Sequence, residues 1–95
     1  MRTRYIVCYD IADPQRLRRV HSTLRGYGDW MQFSIFSCEL SERERVRLGA
    51  LVAEQIDESA DQVLFIDVGP ADGRAGTAIA ALGRPLAVKK RVLVL

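Results

Sequence analysis

The sequence predicts an α+β protein with the ferredoxin-like split βαβ arrangement. Its predicted elements run strand, helix, strand (whole or split into a hairpin), helix, strand and terminal strand. Its length of 95 residues suits one compact domain. No linker rich in Gly, Pro or Ser interrupts the chain, so residues 1–95 are expected to form a single domain.

The first strand and the first helix have clear boundaries. The strand, Arg4 to Asp10, is apolar at nearly every position, which is typical of a strand covered on both faces. Asp13 as N-cap and Pro14 at the first helical position begin the helix, and Gly26 or Gly28 ends it. Its stripe at helical spacing comprises Leu17, Val20, His21 and Leu24.

The middle of the chain predicts a strand, a helix and another strand. Trp30 to Leu40 alternates as one strand or splits into a hairpin, and its aromatic residues Phe33 and Phe36 are expected in the core with Tyr5 and Tyr9. Ser41 and Glu44 have the spacing of a capping box that begins the second helix. Asp57 to Asp61 closes that helix, and Gln62 to Val68 forms the third long strand.

The C-terminal part of the sequence predicts smaller elements and a dimer. Thr77 to Leu82 fits one short helical turn, and Pro85 to Leu95 contains a terminal strand interrupted by the basic Lys89-Lys90-Arg91. A split βαβ fold covers one face of its sheet, whereas these strands are apolar on both faces. We therefore expect a homodimer in which the bare faces pack together and the C-terminal strand extends the partner's sheet.

Composition limits the classes of function. No apolar stretch is long enough to span a membrane, and no signal peptide pattern precedes the first strand. The two cysteines lie inside apolar strands and are expected to be thiols, which suits a reducing compartment. We therefore expect a cytoplasmic protein. The net charge of +2 conceals segregation, because residues 1–36 carry +3, residues 37–73 carry −6 and residues 74–95 carry +5. A fold that joins the ends would present a basic face to a polyanion.

Asp10 is the candidate catalytic and metal-binding residue. It ends an apolar strand, where a carboxylate is expected to be desolvated unless a cation or proton partners it. A plain turn or capping aspartate explains Asp10 equally well. Because Mg²⁺ takes several oxygen ligands, one carboxylate is a poor site, and a dimer axis would supply the second copy of Asp10.

The first helix carries the candidate nucleic-acid contacts. A track of guanidinium groups suits a phosphate backbone, while a solvated helix surface is the competing explanation. The candidate side chains are Arg16, Arg18, Arg19 and Arg25. Ser34 is a polar strand residue that could bond Asp10 or simply lie half exposed, and His21 is expected at a helix flank and not as a general base.

The combination of these segments resembles the family of small CRISPR-associated endonucleases, the subunit that partners the CRISPR integrase in spacer acquisition. The likeness covers nearly the whole chain, in the expected order and spacing. It rests on Tyr9-Asp10-Ile11, Arg16-Leu17-Arg18-Arg19-Val20, Tyr27-Gly28, the strand from Gln32 to Leu40, and Asp61-Gln62-Val63. Trp30-Met31, directly before Gln32, departs from the more polar or basic residues that many members have there.

The resemblance implies a ferredoxin-like homodimer with Mg²⁺-dependent phosphodiesterase activity on RNA or DNA, and a role bridging integrase dimers on duplex DNA. It makes Asp10 the metal-binding aspartate and places Arg18 and Arg19 in a nucleic-acid-binding stretch. Tyr9, Ser34 and Phe36 would support the site. A non-catalytic DNA-binding scaffold is the alternative function, and a ligand-sensing regulatory dimer is a weaker one.

Overall fold

The computed structural model describes residues 1–73 and 78–86, and its secondary structure follows the predicted order. Four strands and two helices follow one another along the chain in the order β1 (Thr3–Asp10), α1 (Pro14–Arg25), β2 (Asp29–Gln32), β3 (Ile35–Leu40), α2 (Glu42–Gln55) and β4 (Gln62–Pro70). The strands form one antiparallel sheet in the order β2-β3-β1-β4. The predicted α+β, ferredoxin-like fold is therefore confirmed.

The helix boundaries follow the predicted capping signals. Asp13 accepts a hydrogen bond from the Arg16 amide at 2.9 Å and Pro14 opens α1, while Gly26 is its C-cap. At the start of α2, the Ser41 hydroxyl accepts from the Glu44 amide, and the Glu44 carboxylate accepts from the Ser41 amide. Both caps satisfy amides that lack partners inside the helix, so local sequence fixes where each helix begins.

The hairpin alternative for Trp30 to Leu40 is confirmed, because a turn at Phe33 and Ser34 divides the segment into β2 and β3. Two other local expectations are wrong. Phe33 occupies that turn with a φ of 25° and is 90% exposed, so it is not a core residue. Residues 78–82 of the predicted helical turn form no helix.

The core lies between the helices and one face of the sheet. Val7 and Tyr9 of β1 meet Val20 and Leu24 of α1 there, and the other buried members are Phe36, Cys38, Leu40, Leu48 and Val52. Gly28 comes so close to β3 that a Cβ atom would lie 2.5 Å from the Ser37 carbonyl oxygen. The helix layer therefore buries one face of the sheet only.

The opposite face of the sheet is open and apolar at its centre. Ile6 pairs in register with Ile66 of β4, and Cys8 pairs with Ile35 of β3 and Leu64 of β4, so these side chains share one face. Leu64 and Ile66 are each 46% exposed. We call the five residues Ile6, Cys8, Ile35, Leu64 and Ile66 the open-face patch.

No helix within residues 1–73 and 78–86 is long and apolar enough to cross a membrane. Both cysteines, Cys8 and Cys38, are thiols and not a disulfide, as the sequence predicts. The expected C-terminal strand and the Lys89-Lys90-Arg91 cluster lie outside the described residues.

Candidate functional site

Asp10 is the last residue of β1 and lies opposite Gln62 of β4. It follows Ile6 and Cys8 at alternate positions, so the pleat puts it on the same open face, at the end of the open-face patch. Asp10 is exposed, and within the described chain no hydrogen bond or ion pair engages its carboxylate. The expectation of a desolvated carboxylate is therefore wrong for one protomer, because Asp10 lies on the sheet face that the helices do not cover.

The loop after Asp10 is held by a second carboxylate, Asp61, whose side chain is 0% exposed. Asp61 accepts hydrogen bonds from Arg16 Nε at 2.7 Å and from the Ala12 amide at 2.9 Å. It also accepts from the Asp57 amide at 2.9 Å. These donors, the Arg16 guanidinium first, hold the pKa of the Asp61 carboxyl well below its usual range. We call Asp61 with its partners Ala12, Arg16 and Asp57 the loop clamp.

The four arginines predicted to bind nucleic acid have different surroundings in the structure. Arg16 gives two guanidinium nitrogens to Asp61, so it belongs to the loop clamp. Arg18, Arg19 and Arg25 are exposed on α1. Arg18 and Arg25 line the same groove, while Arg19 does not. Contact with phosphate stays a prediction for all four arginines.

The three residues expected to support the site have different surroundings. Phe36 is fully buried with its ring centroid 6.2 Å from that of Tyr9, so it belongs to the core, and its support of the site stays a prediction. The Tyr9 hydroxyl lies 2.9 Å from His21 Nδ1, and burial raises the pKa of that hydroxyl. The Tyr9 amide donates to the Ser34 carbonyl oxygen at 3.1 Å, which ties the β2–β3 turn to the end of β1.

A groove of about 570 Å³ runs between α1 and the β2–β3 turn. Arg18, His21 and Arg25 line it from the helix, because residues three, four and seven apart share one helix face. Trp30 and Phe33 line it from the hairpin. We call this cavity the α1 groove.

Neither the loop clamp nor the α1 groove is predicted by the sequence. The sequence predicts Asp61 only as part of the segment that closes α2, and the sole signal of its role is its position directly before the strand that pairs with Asp10. His21 was expected at a helix flank, yet its ring lies edge-on to both Trp30 and Phe36. No local pattern signals these contacts, since their partners are far apart in the chain.

A single protomer does not contain a complete metal site among its described residues. Within residues 1–73 and 78–86 no three His, Cys, Asp or Glu side chains cluster as metal ligands. Asp10 nevertheless presents an unengaged carboxylate of the type that Mg²⁺ prefers. Any Mg²⁺ site at Asp10 must therefore draw ligands from a second protomer, from substrate or from water.

Comparison with known proteins places these features in a family. The family model described as CRISPR associated protein Cas2 matches residues 1–74. The chain is 40% identical over 87 residues to the CRISPR-associated endoribonuclease Cas2 1 of Rhodospirillum rubrum, covering 92% of this chain and 84% of that protein.

Two crystal structures have the same ferredoxin-like fold. One is a hypothetical protein from Thermus thermophilus, with a TM-score of 0.78, 29% identity, and coverage of 90% of this chain and 98% of that one. The other is Streptococcus pyogenes Cas2 at pH 6.5, with a TM-score of 0.72, 28% identity, and coverage of 84% of this chain and 99% of that one.

Proposed function

The chain belongs to the family of CRISPR-associated Cas2 proteins, and from that premise we propose that it is a CRISPR-associated nuclease. Its reaction would be the hydrolysis of phosphodiester bonds, with RNA as the first substrate to test because its relatives are named endoribonucleases. The observation that carries the proposal is Asp10, an exposed and unengaged carboxylate beside a basic helix.

The active form would be a homodimer joined through the open sheet faces. The open-face patch supports this, because a second copy packed against it would remove the surface of five neighbouring apolar side chains from water. Burial of apolar surface stabilises association. Asp10 lies on the same face, at the end of the patch. Face-to-face packing about a two-fold axis would then bring both Asp10 residues into one interface.

Paired Asp10 carboxylates would bind Mg²⁺, with water and phosphate oxygens as the remaining ligands. Bound Mg²⁺ would supply positive charge that activates water and stabilises the phosphodiester as it is cleaved. The loop clamp would position Asp10, because Asp61 bonds the amide of Ala12, two residues beyond it. Arg18, Arg19 and Arg25 would orient the substrate through its phosphates.

We further propose that the protein acts in the cytoplasm, with the CRISPR integrase subunit, on duplex DNA during spacer acquisition. The exposed arginines of α1 support a duplex contact, since guanidinium groups bind phosphates of any sequence. A specific observation favours a scaffold without chemistry of its own as the second candidate function. Within residues 1–73 and 78–86, no three His, Cys, Asp or Glu side chains cluster as metal ligands beside this basic surface.

Asp10→Asn tests the nuclease, because it keeps the size of the side chain and removes the charge that would hold Mg²⁺. We expect wild-type protein to cleave single-stranded RNA with added Mg²⁺, and Asp10→Asn to fall to background. The matched control is Asp72→Asn, which makes the same chemical change at an exposed carboxylate after β4. The control should keep wild-type activity.

The same variant separates the two candidate functions. Spacer acquisition by cells carrying Asp10→Asn should be lost if hydrolysis is required for it. Wild-type protein that cleaves neither RNA nor DNA, together with normal acquisition by Asp10→Asn, would overturn the nuclease and leave the scaffold.

A further inference from the structure

The α1 groove has the size and lining of a ligand site. Its volume of about 570 Å³ falls within the range of small-ligand pockets. Its walls combine aromatic rings from the hairpin with arginines from the helix. None of its lining residues is a carboxylate, a statement that covers residues 1–73 and 78–86.

Two large rings are left exposed at the mouth of this groove. Trp30 is 58% exposed and Phe33 is 90% exposed, whereas burial of such rings is among the largest stabilising contributions available to a small fold. Their exposure in the unbound protein therefore leaves apolar ring surface available to a ligand.

The Trp30 ring is held in place before any ligand arrives. Its Nε1 donates a hydrogen bond to the Phe33 carbonyl oxygen at 2.9 Å, which fixes the indole across the turn. The His21 ring lies edge-on to it, with the ring centroids 6.0 Å apart. A fixed aromatic surface loses little conformational entropy on binding a flat partner.

The positive charge of the groove indicates which kind of flat ligand it fits. Arg18 and Arg25 stand seven residues apart on one helix face and bring two guanidinium groups to the groove. A ligand that joins a flat apolar ring to a phosphate matches both features. Nucleotides of a single strand have this composition, whereas the base faces of a duplex are covered by stacking.

We propose that the α1 groove binds an unpaired nucleobase of single-stranded RNA, which stacks on Trp30 and Phe33 while Arg18 and Arg25 hold the adjoining phosphates. This inference deepens the proposed nuclease and rests on it. The Tyr9 amide bond to the Ser34 carbonyl oxygen joins one wall of the groove to the end of β1. A groove that binds an unpaired base favours single strands over duplexes.

The chain contains a single tryptophan, so its emission reports on this groove alone. We expect a short single-stranded RNA, titrated in EDTA to prevent hydrolysis, to quench Trp30. An abasic strand of equal length and charge should leave the emission unchanged and bind more weakly.

Phe33→Asn tests the stacking contact by mutation. Asn tolerates a positive φ, so the turn is preserved while the ring is removed. Affinity for the RNA, measured by anisotropy of a labelled strand, should fall roughly 5- to 100-fold, the range for one stacked base. Duplex affinity should not change. Val46→Asn, at a 66% exposed apolar position on α2, is the matched control and should bind RNA as wild type does.

The outcomes separate this inference from the proposed function. Equal RNA affinity of Phe33→Asn and wild type, with no quenching of Trp30, would overturn base binding in the α1 groove. The proposed nuclease would then bind RNA through its arginines alone. Quenching by a short peptide containing Phe, and not by RNA, would assign the groove to a protein partner and also overturn it. Wild-type protein that binds no RNA would overturn the groove, and the nuclease would fall with it only if the protein also cleaves neither RNA nor DNA.

Discussion

Asp10 and Asp61 are carboxylates at neighbouring strand ends with opposite surroundings. Asp10 is exposed and unengaged in the described chain, whereas Asp61 is fully covered and accepts bonds from Arg16, Ala12 and Asp57. A residue that is to bind a metal needs free lone pairs, and a residue that is to fix a loop needs filled ones. In the proposed nuclease, Asp10 would therefore carry the chemistry and Asp61 would hold the loop that positions it.

Asp61→Asn should loosen the loop clamp. The amide has one acceptor oxygen and no charge, so Arg16 loses its ionic partner, and one backbone amide and one Arg16 nitrogen lose their acceptor. We expect a melting temperature lower by several degrees and slower RNA cleavage, measured by calorimetry and initial rates. Asp72→Asn serves as the exposed control. Unchanged melting of Asp61→Asn would contradict the role of the clamp.

The loop clamp should also make stability depend on pH. The pKa of Asp61 is lowered in the folded protein, chiefly by its hydrogen bond from Arg16. Its contribution is therefore fully present above the unfolded pKa of about 4, and is lost as the pH falls towards the lower folded pKa. Wild-type protein should lose more stability than Asp61→Asn between neutral and acidic pH, measured by urea unfolding. Parallel curves would contradict this.

At the scale of elements, the junction between α1 and β2 sets how closely the helix layer meets the sheet. Gly28 follows the C-cap of α1, and the close approach of β3 leaves no room for a side chain there. The same junction leads into Trp30 and fixes one wall of the α1 groove. Gly28 therefore permits the close packing of this junction against β3.

Gly28→Ala should destabilise the fold, because its Cβ would fall 2.5 Å from the Ser37 carbonyl oxygen and closer still to Cys38 Sγ. We expect a loss of roughly 1–3 kcal/mol, the usual cost of overpacking, measured by chemical denaturation. Gly26→Ala is the matched control, since its Cβ would lie 3.3 Å from the Thr23 carbonyl oxygen and its φ of −75° suits alanine. Equal stability of the two variants would show that β3 yields to the methyl group.

At the scale of the whole molecule, the helices cover one sheet face and leave the open-face patch to water. Leu64 and Ile66 contribute their side chains to this face, while Val63 and Phe65 pack against the core on the other. The alternation along β4 therefore directs apolar side chains to both sides. A domain with a core of this size gains stability when a second copy covers the open side.

Ile66→Glu should convert the proposed dimer into monomers, because pairing would bury two like charges within an apolar interface. We expect wild-type protein to sediment as a dimer at micromolar concentration and Ile66→Glu as a monomer that has lost RNA cleavage. Val46→Glu adds the same charge on α2, away from the sheet, and should stay dimeric. A wild-type protein that stays monomeric at this concentration would contradict the proposed Mg²⁺ site shared by two copies of Asp10.

The sequence by itself determined the element order, both helix starts and the ferredoxin-like fold, because capping, turn chemistry and strand apolarity are encoded within a few neighbouring residues. It also singled out Asp10 and the arginines of α1, by their place beside a strand end. Tertiary structure alone decided that Asp10 is exposed, that Arg16 binds Asp61, and that Arg18 and Arg25 share a groove with Trp30. Those outcomes depend on contacts between residues distant in the chain, which a local pattern does not contain.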